Sequence, residues 1–252
     1  MCKYQKTLIK VLRDAKKSGI EIQLDLDDNN LVLEEKPNSK DFYLDEVNLT
    51  KIINAKVTSN ELIQAKDYVV LSSLLGMRYE SMEDGYGSPI KKFKEPKYEF
   101  LYINSRQIKT GTEVIIPLMN PVVEVLKRHK NQFPKFASNQ EINRWIKELF
   151  SMLKITSIEK VIYYTYKLGV IPEEKPISEI ISTHDFRKTF YSNLLLMNVE
   201  ERFIDSVTHP DKAKPNAMGG VYDRTKMLDK AKQFYNEINR VNKTKKSKIY
   251  TF

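Results

Sequence analysis

The stretch Ser182-Thr183-His184-Asp185-Phe186-Arg187-Lys188-Thr189-Phe190 constrains this chain more than any other. Phe186, Phe190 and Leu194 recur every four residues, which places one apolar stripe along a helix. Thr183 is a good N-cap, and Asp185 suits the first turn, where a carboxylate meets free backbone N–H groups. His184 and Arg187 are three apart and share another face near the helix start. That end carries unpaired N–H groups and partial positive charge. A His and an Arg added there make a site for a phosphate. Taken alone, the pattern also describes an ordinary amphipathic helix with surface charges, so the rest of the chain decides between the two.

The 252 residues suffice for one large domain, or for one domain plus a fragment of another. Lys and Arg number 42 against 33 Asp and Glu, a formal net charge of +9. Such a balance attracts polyanions, nucleic acid first among them, although a lysine-rich solvated surface has the same composition. Cys2 is the single cysteine, which excludes a disulfide framework and a cysteine zinc site. No apolar run approaches membrane-spanning length and no signal peptide opens the chain, so a soluble, cytoplasmic protein is expected.

Periodicity lays out the elements in order. Tyr4 to Lys17 reads as a basic amphipathic helix with Leu8, Val11, Leu12 and Ala15 inward, closed by Gly19. Gln23 to Lys40 is polar and reads as a linker. A helix is expected over Leu44 to Asn54, then a long apolar one capped by Ser59 and ended by Gly76, with Arg78 following. Phe100-Leu101-Tyr102-Ile103 and Val114-Ile115-Ile116 alternate as strands of a small antiparallel sheet, with Lys109 near the turn between them. Helices are expected over Pro121–His129 and Asn139–Leu153, the second holding Trp145 as a packing residue. Val161 to Tyr166 pairs with Ile177 to Ile181 in this reading. After the central helix come a helix over Glu200–Thr208, a loop with Pro210, Pro215 and Gly219-Gly220, and a helix to about Asn239. Residues 241–252 read as a basic C-terminal tail, with Lys243 to Lys248 as its mobile run.

The chemistry-bearing residues, in chain order, are Arg78, Lys109, His184, Arg187, His209 and Tyr222. His184-Asp185-Phe186-Arg187-Lys188-Thr189-Phe190 resembles the most specific box of the tyrosine recombinases, the phage integrase family. Gln107-Ile108-Lys109-Thr110-Gly111 with Ile116-Pro117-Leu118 resembles that family's lysine hairpin, and Leu75-Gly76-Met77-Arg78 its first arginine box. The resemblance runs from about Asn38 to Asn239. It implies an α+β, mostly helical catalytic domain with a small antiparallel sheet, over residues 37–240. Residues 1–36 would then be the remnant of an N-terminal clamp domain plus linker.

The resemblance further implies a site-specific recombinase that cuts and rejoins double-stranded DNA through a 3′-phosphotyrosine, with no cofactor and no metal. It also implies a homo-oligomer, a tetramer on paired sites, acting in integration or excision of a mobile element. Arg78 and Arg187 would donate bidentately to the non-bridging phosphate oxygens, with His209 adding a donor. Each well-placed donor in such a site lowers a barrier by about 3 kcal/mol. Lys109 would protonate the leaving 5′ oxygen, Tyr222 would attack, and His184 would accept the tyrosine proton or orient the phosphate.

Three departures from the family pattern stand out. Ser81 occupies the place of an acidic partner for Arg78, with Glu80 one residue earlier. Thr208 precedes His209 where the family has Gly. The interval from His209 to Tyr222 is several residues long for the family. Tyr235 and Tyr250 compete for the nucleophile's role, and Tyr235 falls in phase with Leu228 and Ala231 as a core residue. His129, among Lys127, Arg128 and Lys130, is either a backbone-phosphate contact or simply exposed. A type IB topoisomerase-like enzyme and a catalytically inactive DNA-binding regulator are the alternative readings.

Overall fold

The computed structural model describes residues 2–26, 42–108, 111–165, 169–209 and 226–252. The chain divides into two compact units, Met1–Asp41 with Ile158–Lys175, and Phe42–Ser157 with Pro176–Phe252.

The first unit contains helix α1 (Cys2–Lys17), after which Gly19 takes a left-handed φ of 87°. Its apolar stripe was expected to face inward, yet Leu8 and Val11 are 59% and 58% exposed. Periodicity specifies a face on a helix but not a partner to bury it. Strands β1 (Lys91–Glu95), β2 (Tyr98–Gln107) and β3 (Thr112–Pro117) belong to the second unit, and the first unit carries β4 (Ile158–Thr165) paired with β5 (Gly169–Pro176), all but its last residue. The expected partner of β4 was Ile177–Ile181. That segment instead begins a helical turn, α7 (Ile177–Ile180), in the second unit, with Ile177 buried. Pro176, at φ −58°, starts the turn, and the β-branched residues after it fill the core as well from a helix as from a strand.

The second unit is built around α3 (Asn60–Leu75). Ser59 caps it, its hydroxyl accepting from the Leu62 N–H at 3.2 Å. From Asp67 to Leu75 every residue is buried, because the helix is enclosed by α2 (Glu46–Asn54), α5 (Asn120–Arg128), α6 (Asn139–Met152) and α8 (Asp185–Leu196). Phe186, Phe190 and Leu194 of α8 are fully buried, as their spacing predicts. A short helix α4 (Tyr79–Asp84) leads to the antiparallel sheet β1 (Lys91–Glu95), β2 (Tyr98–Gln107) and β3 (Thr112–Pro117), in that order. Ile103 pairs with Ile116 across β2 and β3, and both point into the core. The edge strand β1, Lys-Lys-Phe-Lys-Glu, was not expected; its charges suit an exposed sheet edge and hide it from a hydrophobic pattern.

Helices α9 (Glu201–Thr208) and α10 (Met227–Lys245) complete the unit, both against β3. The last residues are not the mobile tail expected. Helix α10 runs on to Lys245, Ile249 and Tyr250 are buried, and the Asn120 N–H donates to the Thr251 carbonyl at 2.7 Å. The basic run ends in Ile249-Tyr250-Thr251-Phe252, and burial of those apolar rings outweighs the solvation of the lysines before them. Tyr235 is half-buried between Phe100 and Phe252, with ring centroids 5.0 and 4.8 Å away. His129 is not a free surface group. Its Nε2 lies 2.9 Å from Asp67 of α3, and Arg128 pairs with the same buried carboxylate. A buried charge needs such partners, and the His-Arg pair at the end of α5 supplies them. The architecture is α+β, mostly helical, with a small antiparallel sheet, the class expected. Among the described residues no helix is long and apolar enough to cross a membrane.

Candidate active site

Helix α3 stops at Gly76, whose φ of 64° is left-handed. Space there is as restrictive as backbone angle. A Cβ on Gly76 would lie 2.7 Å from Phe190 Cδ1 and 2.8 Å from Thr208 Cγ2. The turn brings the Gly76 carbonyl to α8 and places Arg78 at the N-cap of α4, half-exposed. The glycine of the Leu-Gly-Met-Arg box therefore does local work: only a residue without Cβ lets α3, α8 and α9 meet at this point.

The start of α8 is arranged differently from expectation. Thr183 does not cap the helix; the N-cap is His184, and Asp185 Oδ2 reaches back to the N–H and hydroxyl of Ser182 at 2.9 and 2.8 Å. Thr183 is instead tied to α6. Its hydroxyl donates to Asn139 Oδ1 and its N–H to Asn143 Oδ1, each at 2.9 Å. A hydroxyl serves either use, and here the nearby Asn pair outcompetes the helix end for it. His184 is left exposed at the mouth of a cavity of about 180 Å³, lined also by Arg78, Glu80, Asn139, Thr183 and Arg187.

Arg187 is buried on the first turn of α8. It donates to two main-chain carbonyls, Nη1 to Gly76 and Nη2 to Thr208. A guanidinium has five N–H donors, so three remain. Burial, with the charge of Arg78 nearby, pushes the Arg187 guanidinium down to about 10, while Asp205 acts in the opposite sense. It stays cationic at neutral pH. Among the described residues neither Arg78 nor Arg187 forms an ion pair with a carboxylate. Two neighbouring cations, one of them buried, are costly to hold together unless an anion joins them. His184 feels the same field. Partial burial of its ring lowers its pKa first, Asp185 raises it, and Lys188, Arg78 and Arg187 lower it.

His209 follows the last turn of α9. It does not line the cavity, but Thr208 beside it links the two through the carbonyl that Arg187 grips. The Thr208 hydroxyl donates to the Ile204 carbonyl at 2.8 Å and lies 3.1 Å from His209 Nδ1. Its proton being committed, it can only accept from the imidazole. Asp205 Oδ1, 3.3 Å from the same nitrogen, also only accepts. Nδ1 therefore carries a proton. The buried Gln107 at the end of β2 donates to the Thr208 carbonyl at 2.6 Å, which ties the lysine hairpin's first strand to the same point. Tyr191 packs edge-on against His209, centroids 6.1 Å apart; its hydroxyl donates to Glu201 at 2.6 Å, and burial raises its pKa far above the usual phenol value.

Of the six residues singled out from sequence, Arg78, His184 and Arg187 share one cavity and His209 joins them through Thr208. Lys109 and Tyr222 lie outside the described residues. Ser81 is buried, and Glu80, exposed, lines the cavity beside Arg78 without an ion pair to it. Sequence reasoning missed Asn139, Asn143, Asp205 and Tyr191, and took Gln107 only as part of a motif. Asp205 stands one helical turn before His209, a spacing that could have found it. Nothing comparable marks Asn139 or Asn143, which meet Thr183 only in the fold.

No protein-family model and no curated protein matches this chain. Among solved structures it is similar to the integrase from mycobacterium phage Brujita, at 14% sequence identity and a TM-score of 0.51. The similarity covers 92% of this chain and 69% of that one. At that identity the likeness establishes the fold alone, and the chain adopts an integrase-like α+β fold.

Proposed function

We propose that the chain is a site-specific DNA strand transferase of the tyrosine-recombinase type, which cuts and rejoins duplex DNA through a phosphotyrosine. The observation that carries this reading is the buried Arg187 beside Arg78, two guanidiniums in one cavity with no carboxylate ion pair among the described residues. Such a pair suits the developing charge of a pentavalent phosphate, which needs several fixed donors at once. The net charge of +9 and the integrase-like fold support duplex DNA as the polyanion.

In this reading the Tyr222 oxygen bonds to phosphorus as the bond to the 5′ oxygen breaks. The 5′ oxygen takes a proton from Lys109, and the phosphate stays on the tyrosine until a 5′ hydroxyl reverses the step. His184 is suited to accept the tyrosine proton, because its lowered pKa keeps it neutral at physiological pH. His209 adds a donor to the phosphate. Gln107, two residues before Lys109, gives the hairpin a fixed anchor beside His209. Tyr191 is an unsuitable nucleophile, since its proton is held by Glu201 and its phenolate is disfavoured. The second unit carries every described residue of the site. Action as a tetramer on paired sites, and a cytoplasmic, DNA-associated location, belong to the same proposal.

The test separates binding from chemistry. Arg78→Ala and Arg187→Ala are expected to lower cleavage of nicked duplex DNA by 100-fold or more, by the estimate of about 3 kcal/mol per donor, while DNA affinity changes little. Equal losses in both would make the arginines binding residues and remove the support for strand transfer.

A further inference from the structure

Asn139, the first residue of α6, lines the cavity with Arg78, His184 and Arg187. Its amide orientation is dictated by a chain of donors that begins at the backbone. The Thr183 N–H donates to one terminal atom of Asn143 at 2.9 Å. A backbone N–H can only donate, so that atom is the Asn143 oxygen and the other is its NH₂. That NH₂ donates to the Asn139 carbonyl at 2.7 Å and to its side-chain amide at 2.9 Å. The receiving side-chain atom is therefore Asn139 Oδ1. The Thr183 hydroxyl donates to the same atom at 2.9 Å, which uses its second lone pair. The NH₂ of Asn139 must then be the group on the other side, and among the described residues nothing accepts from it.

We infer that Asn139 is a further phosphate ligand, its Nδ2–H donating to a non-bridging oxygen of the group gripped by Arg78 and Arg187. The inference rests on the phosphodiester reading above. Asn139 adds a neutral donor with a fixed direction, where each arginine adds charge. Its rigidity has a structural source. The Ser138–Glu141 capping box holds the start of α6, and Thr183, immediately before His184, locks α6 to α8. The same three side chains thus set both the amide and the entry of His184 into the cavity.

The test uses inorganic phosphate as probe and the whole chain as protein. Asn139→Asp keeps the oxygen that accepts from Thr183 and Asn143, replaces the NH₂ by a second carboxylate oxygen, and suits the first turn of a helix, so folding is preserved. Asn139→Ala removes the donor without adding charge. In the wild type the Asn139 side-chain NH₂ resonances, identified by their loss in both variants, are expected to shift saturably with phosphate. Phosphate affinity is expected to fall about tenfold in Asn139→Ala and further in Asn139→Asp, with thermal midpoints near the wild-type value. Unchanged affinity in both variants overturns the inference. So do amide resonances that stay fixed while the arginine guanidinium signals move, and so does an absence of saturable phosphate binding by the wild type. Covalent trapping on nicked DNA, run alongside, separates the two claims. An adduct without an amide response removes Asn139 and spares strand transfer; an amide response without an adduct does the reverse.

Discussion

Arg187 on α8 and Gln107 at the end of β2 donate to one acceptor, the carbonyl oxygen of Thr208. The last carbonyls of a helix lack intrahelical partners, and here that chemical need at the end of α9 joins the consecutive helices α8 and α9 to β2, about a hundred residues earlier. Helix α8, the hairpin and the end of α9 are thereby registered on a single atom.

Gln107→Leu keeps the volume and removes the donor. Because Arg187 still serves the Thr208 carbonyl, it is expected to cost about 0.5–1.5 kcal/mol of stability, the net worth of one hydrogen bond. Cleavage should fall more than DNA binding, because the hairpin loses its anchor beside His209. Urea titration and a filter-binding assay on the same preparation check both halves. Unchanged cleavage would show that the hairpin is placed by other contacts.

Gly76→Ala tests the meeting of α3, α8 and α9. The left-handed φ of 64° and the contacts at 2.7 and 2.8 Å act together. Strain plus overpacking predicts a loss of about 2–5 kcal/mol in urea unfolding. Because the Gly76 carbonyl holds Arg187, the variant should also lose cleavage when folded. A variant as stable as the wild type would mean that Phe190 and Thr208 move aside freely.

These two positions show how far sequence alone reaches. Leu-Gly-Met-Arg was legible as a helix stop, and Phe186, Phe190 and Leu194 as a buried stripe, because both signals are local. Ser59 as the cap of α3 was legible for the same reason. What a side chain bonds to across the fold was not. Thr183 reads as a cap from its neighbours and instead serves Asn139 and Asn143, some forty positions away. His129 reads as an exposed residue and instead lies in hydrogen-bond contact with the buried Asp67. Strand β1 was hidden by its lysines, and the burial of Tyr250 by the basic run before it.

His184 supplies a prediction in pH. Its pKa in the fold lies below the ordinary value of about 6.5, owing first to partial burial and then to Lys188, Arg78 and Arg187, against Asp185. The unfolded chain therefore binds more protons in the window between the lowered value and 6.5. Stability should fall as pH is lowered through that window and be level above it. His184→Gln should flatten this part of the profile. An NMR titration of His184 with a midpoint above 6.5 would contradict the assignment.

Asp205 and Tyr191 both touch His209, by different means. Asp205→Asn removes the anion facing Nδ1 and is expected to lower cleavage with little effect on DNA affinity. In the wild type the ¹⁵N shifts of neutral His209 should report the Nδ1–H tautomer. Tyr191→Phe removes the hydroxyl that donates to Glu201 and should retain the covalent adduct. A neutral Nε2–H tautomer would break the argument from Thr208 and Asp205.

The central claim is that a tyrosine of this chain becomes joined to DNA, and that it is Tyr222. The direct measurement is trapping on a pool of nicked random-sequence duplexes, followed by proteolysis and mass spectrometry of the DNA-linked peptide. The expected result is an adduct on Tyr222 that is lost in Tyr222→Phe and kept in Tyr191→Phe and Tyr235→Phe. An adduct on Tyr191 or Tyr235, or one that persists at wild-type level in Tyr222→Phe, would contradict it.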